Sequence, residues 1–205
     1  MVESKKYKLT KDRLLFDLYI AFFQARRHKA YAPYVREFEE HLHYNLSQLC
    51  DVLWDRTYKP MPSICFIIQD PTIREVYAAA FVDRIVHHLY YFYTHEMYEH
   101  TFIYDSYSCI DDRGTSFGIE RLYKHIRQES LNYTEECYVL KLDITGYFMH
   151  INRKKLLKIC NDTIIKMSTR RMHKGYPKTW EEYIDIEFVM YLTHEIVLRS
   201  YSQLH

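Results

Sequence analysis

Asp143 ends an apolar run, Tyr138-Val139-Leu140-Lys141-Leu142, and is followed by Ile144-Thr145-Gly146-Tyr147-Phe148. In a strand, side chains alternate between faces, so Leu140 and Leu142 would share one. That spacing predicts a strand over 138–144 with Asp143 near its carboxyl end, beside a turn signal at Gly146. A carboxylate so placed can hold Mg²⁺, a hard cation that usually takes one or two oxygen ligands from protein. It can equally be the solvated or capping end of an ordinary strand, and spacing alone favours that plainer reading.

Histidines paired with acids suggest a different chemistry, but their spacing argues against it. His95-Glu96-Met97-Tyr98-Glu99-His100 resembles a zinc-binding H-E-x-x-H, except that its histidines are five residues apart. On a helix, five residues separate two rings by about 140°, too far round to share one zinc ion. His194-Glu195 has no histidine four residues on. His87 and His88 fit packing better than metal ligation.

Basic residues come in clusters: Lys5, Lys6, Lys8, Lys11 and Arg13, then Arg26, Arg27 and Lys29, then Arg153, Lys154, Lys155 and Lys158. A fourth lies between Lys166 and Lys178. With a net charge of only +1 there is no global field to attract a polyanion. One such cluster is ordinarily a solvated helix face; four in a neutral chain modestly favour nucleic acid.

The elements that must position these residues are mostly helical. Four glycines and five prolines in 205 residues argue against a turn-rich all-β chain. Thr10 is placed to cap a helix running to about residue 28, with Leu14, Leu15, Leu18, Phe22 and Ala25 at helical spacing. Pro33 opens a second helix expected to reach Trp54, with Val35, Phe38, Leu42, Leu46, Leu49 and Leu53 on one side. Pro60 and Pro62 end this helical region. Residues 63–69 and 74–78 read as two strands of a hairpin turning at Asp70-Pro71-Thr72. A helix over about 79–99 follows, its wide apolar face implying burial, with Arg84 expected to pair with a nearby acid.

Thr115 or Ser116 should start a helix to about residue 128 with Ile119, Leu122 and Ile126 inward. Asn152 should cap another carrying Leu156, Leu157, Ile159 and Ile164, broken at Gly175-Tyr176-Pro177. A last helix is expected over 180–199. The five cysteines are odd in number and widely spaced, without C-x-x-C, and no signal peptide is evident. This suggests free, mostly buried thiols in a cytoplasmic setting. No apolar run approaches the roughly 20 residues of a membrane helix, so no membrane partner is expected.

Three stretches together resemble bacterial reverse transcriptases, of the kinds found in diversity-generating retroelements and group II introns. The first runs from Asp70 to His88 and contains Arg74 and Asp83-Arg84-Ile85-Val86-His87, similar to the family's fingers motif D-R-[VI]-V-[HQ]. The second, Asp105-Ser106-Tyr107-Ser108-Cys109, matches D-S-Y-[SA]-C. The third is the Asp143 stretch, with an aromatic five residues after the aspartate at Phe148. The resemblance covers about residues 60–160.

It implies that Asp143 is catalytic and binds Mg²⁺ together with the backbone carbonyl of Ile144. It further implies that Arg74 contacts the phosphates of an incoming dNTP and that Phe148 is the steric gate beneath its sugar. Arg84 and Arg113 would contact nucleic acid. Two departures stand out: Thr72 replaces a basic residue, and Ile110-Asp111-Asp112-Arg113-Gly114-Thr115 replaces R-x-G-K-G-T. Both imply a weaker hold on phosphate.

The implied fold class is α+β and helix-rich, part of a right-hand polymerase. The implied parts are N-terminal helices over 1–60, fingers over 61–135, and the first palm strand with following helices over 136–205. Partners would be an RNA template, a DNA primer and dNTP. The family's Gly-rich turn and second, paired-Asp palm strand do not occur in these residues, so the chain alone is expected to be inactive. Two alternatives stay open: a non-catalytic module that binds RNA or primer–template, and a degenerate relative adding nucleotides without a template.

Overall fold

The computed structural model describes residues 6–70, 73–172 and 178–199. The chain forms two packed units, one from Met1–Met97 with Asn152–His205 and the other from Tyr98–Ile151. The secondary structure is helix-rich with one two-stranded sheet among the described residues, in keeping with an α+β class.

In the first unit, α1 (Lys11–Arg26) starts where Thr10 Oγ1 accepts from the Arg13 N–H at 3.3 Å. Its buried face carries Leu14, Leu18, Phe22 and Ala25 as the spacing implied, and also Asp17 and Ala21, while Leu15 is only half-buried. The helix expected from Pro33 to Trp54 is interrupted. It forms α2 (Pro33–Glu40) and α3 (Leu42–Trp54), separated at His41 with φ −122° and ψ 39°. Asn45 explains how the break is tolerated, since its side-chain amide donates to the Phe38 carbonyl at 2.9 Å. That carbonyl would otherwise lack a partner at a helix end.

The expected hairpin is present. β1 (Ile64–Ile68) and β2 (Arg74–Ala78) pair antiparallel, with Ile64 opposite Ala78 and Ile68 opposite Arg74. Thr72, one of the two departures from the family pattern, lies outside the described residues, as does Pro71. The chain then enters α4 (Phe81–Glu99), which buries Phe81, Ile85, Val86, Leu89, Tyr93 and Met97.

Asn152 caps α7 (Arg153–Ser168) by accepting from the Lys155 N–H at 3.1 Å, as expected, although Ile159 is exposed and Ile164 carries the burial. The Gly175-Tyr176-Pro177 break lies outside the described residues. The single helix expected over 180–199 is segmented into a 3₁₀ turn at Trp180–Glu182, α8 (Ile186–His194) and a π turn at Glu195–Arg199. Asp185 marks the division: its Oδ1 accepts from the Phe188 N–H at 3.0 Å and its Oδ2 from the Leu9 N–H at 3.2 Å. Tyr93 meets Phe188 edge-on at 6.3 Å, joining α4 to α8.

The second unit is built differently. α5 (Thr115–Glu129) has the expected bounds but buries none of its side chains, and Ile119 and Leu122 are exposed rather than inward. Among the described residues of this unit only Ser130 is buried. The strand expected over 138–144 is not formed. Those residues belong to no sheet among the described residues. A β-prone sequence sets up a strand but cannot complete one, because the ladder needs a neighbour.

The thiols also depart from expectation: of the five, only Cys50 is buried, while Cys65 and Cys109 are exposed. No helix is long and apolar enough to cross a membrane, among the described residues.

Candidate functional site

Asp143 sits in the unpaired segment with its side chain exposed. Its Oδ1 accepts the N–H of the next residue, Ile144, at 2.8 Å. Ile144 is 66% exposed, so the pair implied as metal ligands is open to solvent. Gly146 follows with φ +60°, a left-handed residue leading into the short α6 (Tyr147–His150). A Cβ there would come within 2.9 Å of His150 Nδ1, so glycine suits both the backbone and the space. Phe148 lies in α6; its side chain is outside the described residues.

Arg113 works inside the loop that carries Asp105-Ser106-Tyr107-Ser108-Cys109. Its Nη1 donates to the Tyr104 carbonyl at 2.6 Å and to the Ser106 carbonyl at 3.2 Å. Its guanidinium also lies over the Tyr104 ring at 5.0 Å and the Phe117 ring at 5.7 Å. Part of the donor set expected for nucleic acid is therefore engaged with the loop's own backbone.

The centre of this loop is a residue that sequence reasoning treated only as part of a motif. Asp105 accepts from Arg121 through both oxygens, at 2.6 and 3.2 Å, and from the Tyr107 hydroxyl at 3.0 Å. His125 Nε2 lies 3.2 Å from Asp105 Oδ2. The Arg121 hydrogen bond, against a smaller opposing effect of burial and with help from Tyr107 and His125, holds the Asp105 carboxyl well below the usual carboxylate range. The two-point geometry is the one a planar guanidinium forms best. The ring of Tyr107 lies against Gly118, where a Cβ would stand 3.0 Å from it. Arg121 and His125 are four apart on α5, and that spacing next to an Asp-rich loop was the available signal.

The other two implied residues belong to the first unit. Arg74 is the first residue of β2; its side chain is outside the described residues. Arg84 pairs with no acid among the described residues, contrary to expectation. Its guanidinium lies 4.9 Å from the Tyr34 ring centre and 5.5 Å from that of Phe81, and its buried Nε has no hydrogen-bond partner there. The adjacent acid is occupied elsewhere. Asp83, 2% exposed, accepts the Tyr58 hydroxyl at 2.6 Å and the Met61 N–H at 2.9 Å. One residue further round α4, Arg84 faces aromatic rings, where its guanidinium is held by cation–π attraction. The Asp-Arg dipeptide thus has a structural half and an aromatic-stacked half.

Burial also disfavours protonation of His87 and pushes its pKa below 6.5; Asp83 opposes this and His88 and Arg84 reinforce it. His88 is lowered likewise, by burial and then by Lys29 and Arg84. When the folded value lies below the unfolded one, the unfolded chain gains protons first on acidification. The stabilisation is complete above the unfolded value and is lost as pH falls through the folded one. Replacing His87 with glutamine should flatten the decline of melting temperature below pH 6.5. A decline as steep as in the wild type would remove His87 from this account.

A scan against protein-family models and a search of curated proteins found no match to the chain.

Proposed function

We propose that this chain is the N-terminal, fingers and first palm portion of a reverse transcriptase, with Asp143 as one of the carboxylates that hold catalytic Mg²⁺. The observation that carries the reading is the ordered series Arg74, Asp83-Arg84, Asp105 to Cys109, and Asp143 with Phe148 five residues later. The hairpin that leads directly into α4 supports it, as does the solvent-open carboxylate of Asp143. In this reading Arg74 and Phe148 bind dNTP, Arg84 and Arg113 face nucleic acid, and the complete polymerase copies RNA into DNA.

Mg²⁺ would be held by Asp143 and the Ile144 carbonyl, and would stabilise charge on the attacking and leaving oxygens of phosphoryl transfer. That chemistry needs carboxylates from two palm strands, and the 205 residues contain no aromatic-x-Asp-Asp sequence. The chain by itself should therefore incorporate no dNTP on a primed RNA template in Mg²⁺. Mn²⁺ added as a paramagnetic probe should still broaden the Ile144 amide resonance, and Asp143→Ala should abolish the effect. An Ile144 signal indifferent to Mn²⁺ in the wild type would sink the metal role.

A further inference from the structure

The unpaired segment of the second unit carries its own complement. Leu140 and Leu142 are each 81% exposed, Ile144 66% and Val139 61%. Lys141 and Asp143 lie between them, both exposed. An unpaired strand-prone backbone with apolar side chains is a template for another strand.

We propose that residues 139–145 pair antiparallel with the same residues of a second copy of this chain, about a two-fold axis at Leu142. In that register Leu142 faces Leu142, Leu140 faces Ile144, Lys141 faces Asp143, and Val139 faces Thr145. Directly opposed residues share a face. One face of the ribbon is then wholly leucine and isoleucine. The other holds two Lys141–Asp143 pairs of opposite charge, flanked by β-branched residues.

Neighbouring registers lack this match. A two-fold axis at Lys141 opposes lysine to lysine, and one at Asp143 opposes aspartate to aspartate, both destabilising. A shift by half a residue mixes charged and apolar side chains on both faces. The charges thus select one register and one partner, a copy of the same strand, as an isologous contact requires. A two-stranded ribbon is marginal until something covers its apolar face. The exposed Ile119 and Leu122 of α5 in the same unit are surface of that kind. The pairing rests on this segment alone and holds whether or not Asp143 also binds a cation.

The test is sedimentation equilibrium of the 205-residue chain and three variants, with circular dichroism to check that each is folded. The wild type should dimerise reversibly. Lys141→Asp and Asp143→Lys each set like charges opposite one another twice, and should weaken the dimer by roughly tenfold or more. The double exchange, Lys141→Asp with Asp143→Lys, should restore it. A wild type that stays monomeric to its solubility limit overturns the proposal and leaves the segment to a different protein strand. A dimer equally strong in both single variants also overturns it, placing the contact on another face.

Discussion

Replacing Asp83 with alanine should lower the unfolding free energy of the chain by about 2–4 kcal/mol. The carboxylate accepts two bonds, one from the Tyr58 hydroxyl and one from the Met61 N–H, and it is almost completely shielded from water. Removing it strands a buried hydroxyl, since Tyr58 is itself only 5% exposed, and frees the chain at Met61 from the first turn of α4. A buried donor left without an acceptor costs about 1–3 kcal/mol, and the partly buried Met61 N–H adds a smaller loss, which sets the expected size.

The substitution Asp83→Asn, which keeps one acceptor oxygen, should cost less. Burial raises the Asp83 pKa from 3.8, and the bonds from Tyr58 and Met61 and the charge of His87 only partly oppose it. A folded value above the unfolded one means this group's stabilisation is complete below 3.8 and is lost as pH rises through the folded value. The asparagine variant should therefore lose part of that slope. Urea titrations at several pH values read both effects, and an Asp83→Ala midpoint equal to the wild type's would show that the two bonds carry no net stability.

Phe22→Ala should be larger still, about 3–5 kcal/mol. Phe22 is completely buried on α1, and its ring meets Phe23 at 5.3 Å, Phe38 at 5.8 Å and Phe81 at 6.1 Å. These contacts tie α1 to α2 and to the start of α4, so truncation opens a cavity where several elements meet. Lost transfer energy and an unfilled cavity add in such a place. Leucine at the same position should recover much of the loss. Thermal unfolding of the three proteins decides it, and an alanine variant within about 1 kcal/mol of the wild type would mean the site can collapse.

Short-range chemistry was legible in the sequence. Thr10 and Asn152 announce helix starts because a side-chain oxygen followed by an apolar-periodic run has one good use. The hairpin could be read from a short apolar stretch between Pro62 and Asp70-Pro71. The break at His41 could not, because it depends on Asn45 reaching the Phe38 carbonyl. Ile119 and Leu122 show the limit of periodicity: spacing defines a face, and only a neighbour can bury it. The same holds for residues 138–144, where propensity is local and sheet formation is not.

The buried acids could have been found. Asp17 sits among Leu14, Leu18 and Ala21 on the inward face of α1; it accepts a hydrogen bond from the Tyr93 hydroxyl at 2.6 Å and is ion-paired with Arg13 at 2.9 Å. A lone acid on an apolar stripe is such a signal, with a tyrosine or arginine elsewhere to be sought as its partner. For the candidate site, residue types offered Asp143 as one possibility and the resemblance added the arginines, but neither showed that Arg84 would lie among rings or Arg113 bind its own loop. Both outcomes depend on what the fold places opposite each guanidinium.

The larger unit is assembled from two stretches of chain with the other unit between them. Its early part cannot finish itself: the Tyr7 N–H bonds to the Glu181 carbonyl, the Leu9 N–H to Asp185, and Tyr93 packs on Phe188. During synthesis, the Tyr93 side of the fourth helix therefore meets Phe188 only after nearly a hundred further residues have left the ribosome. Closure over so long a loop is slow, so this part of the core forms late.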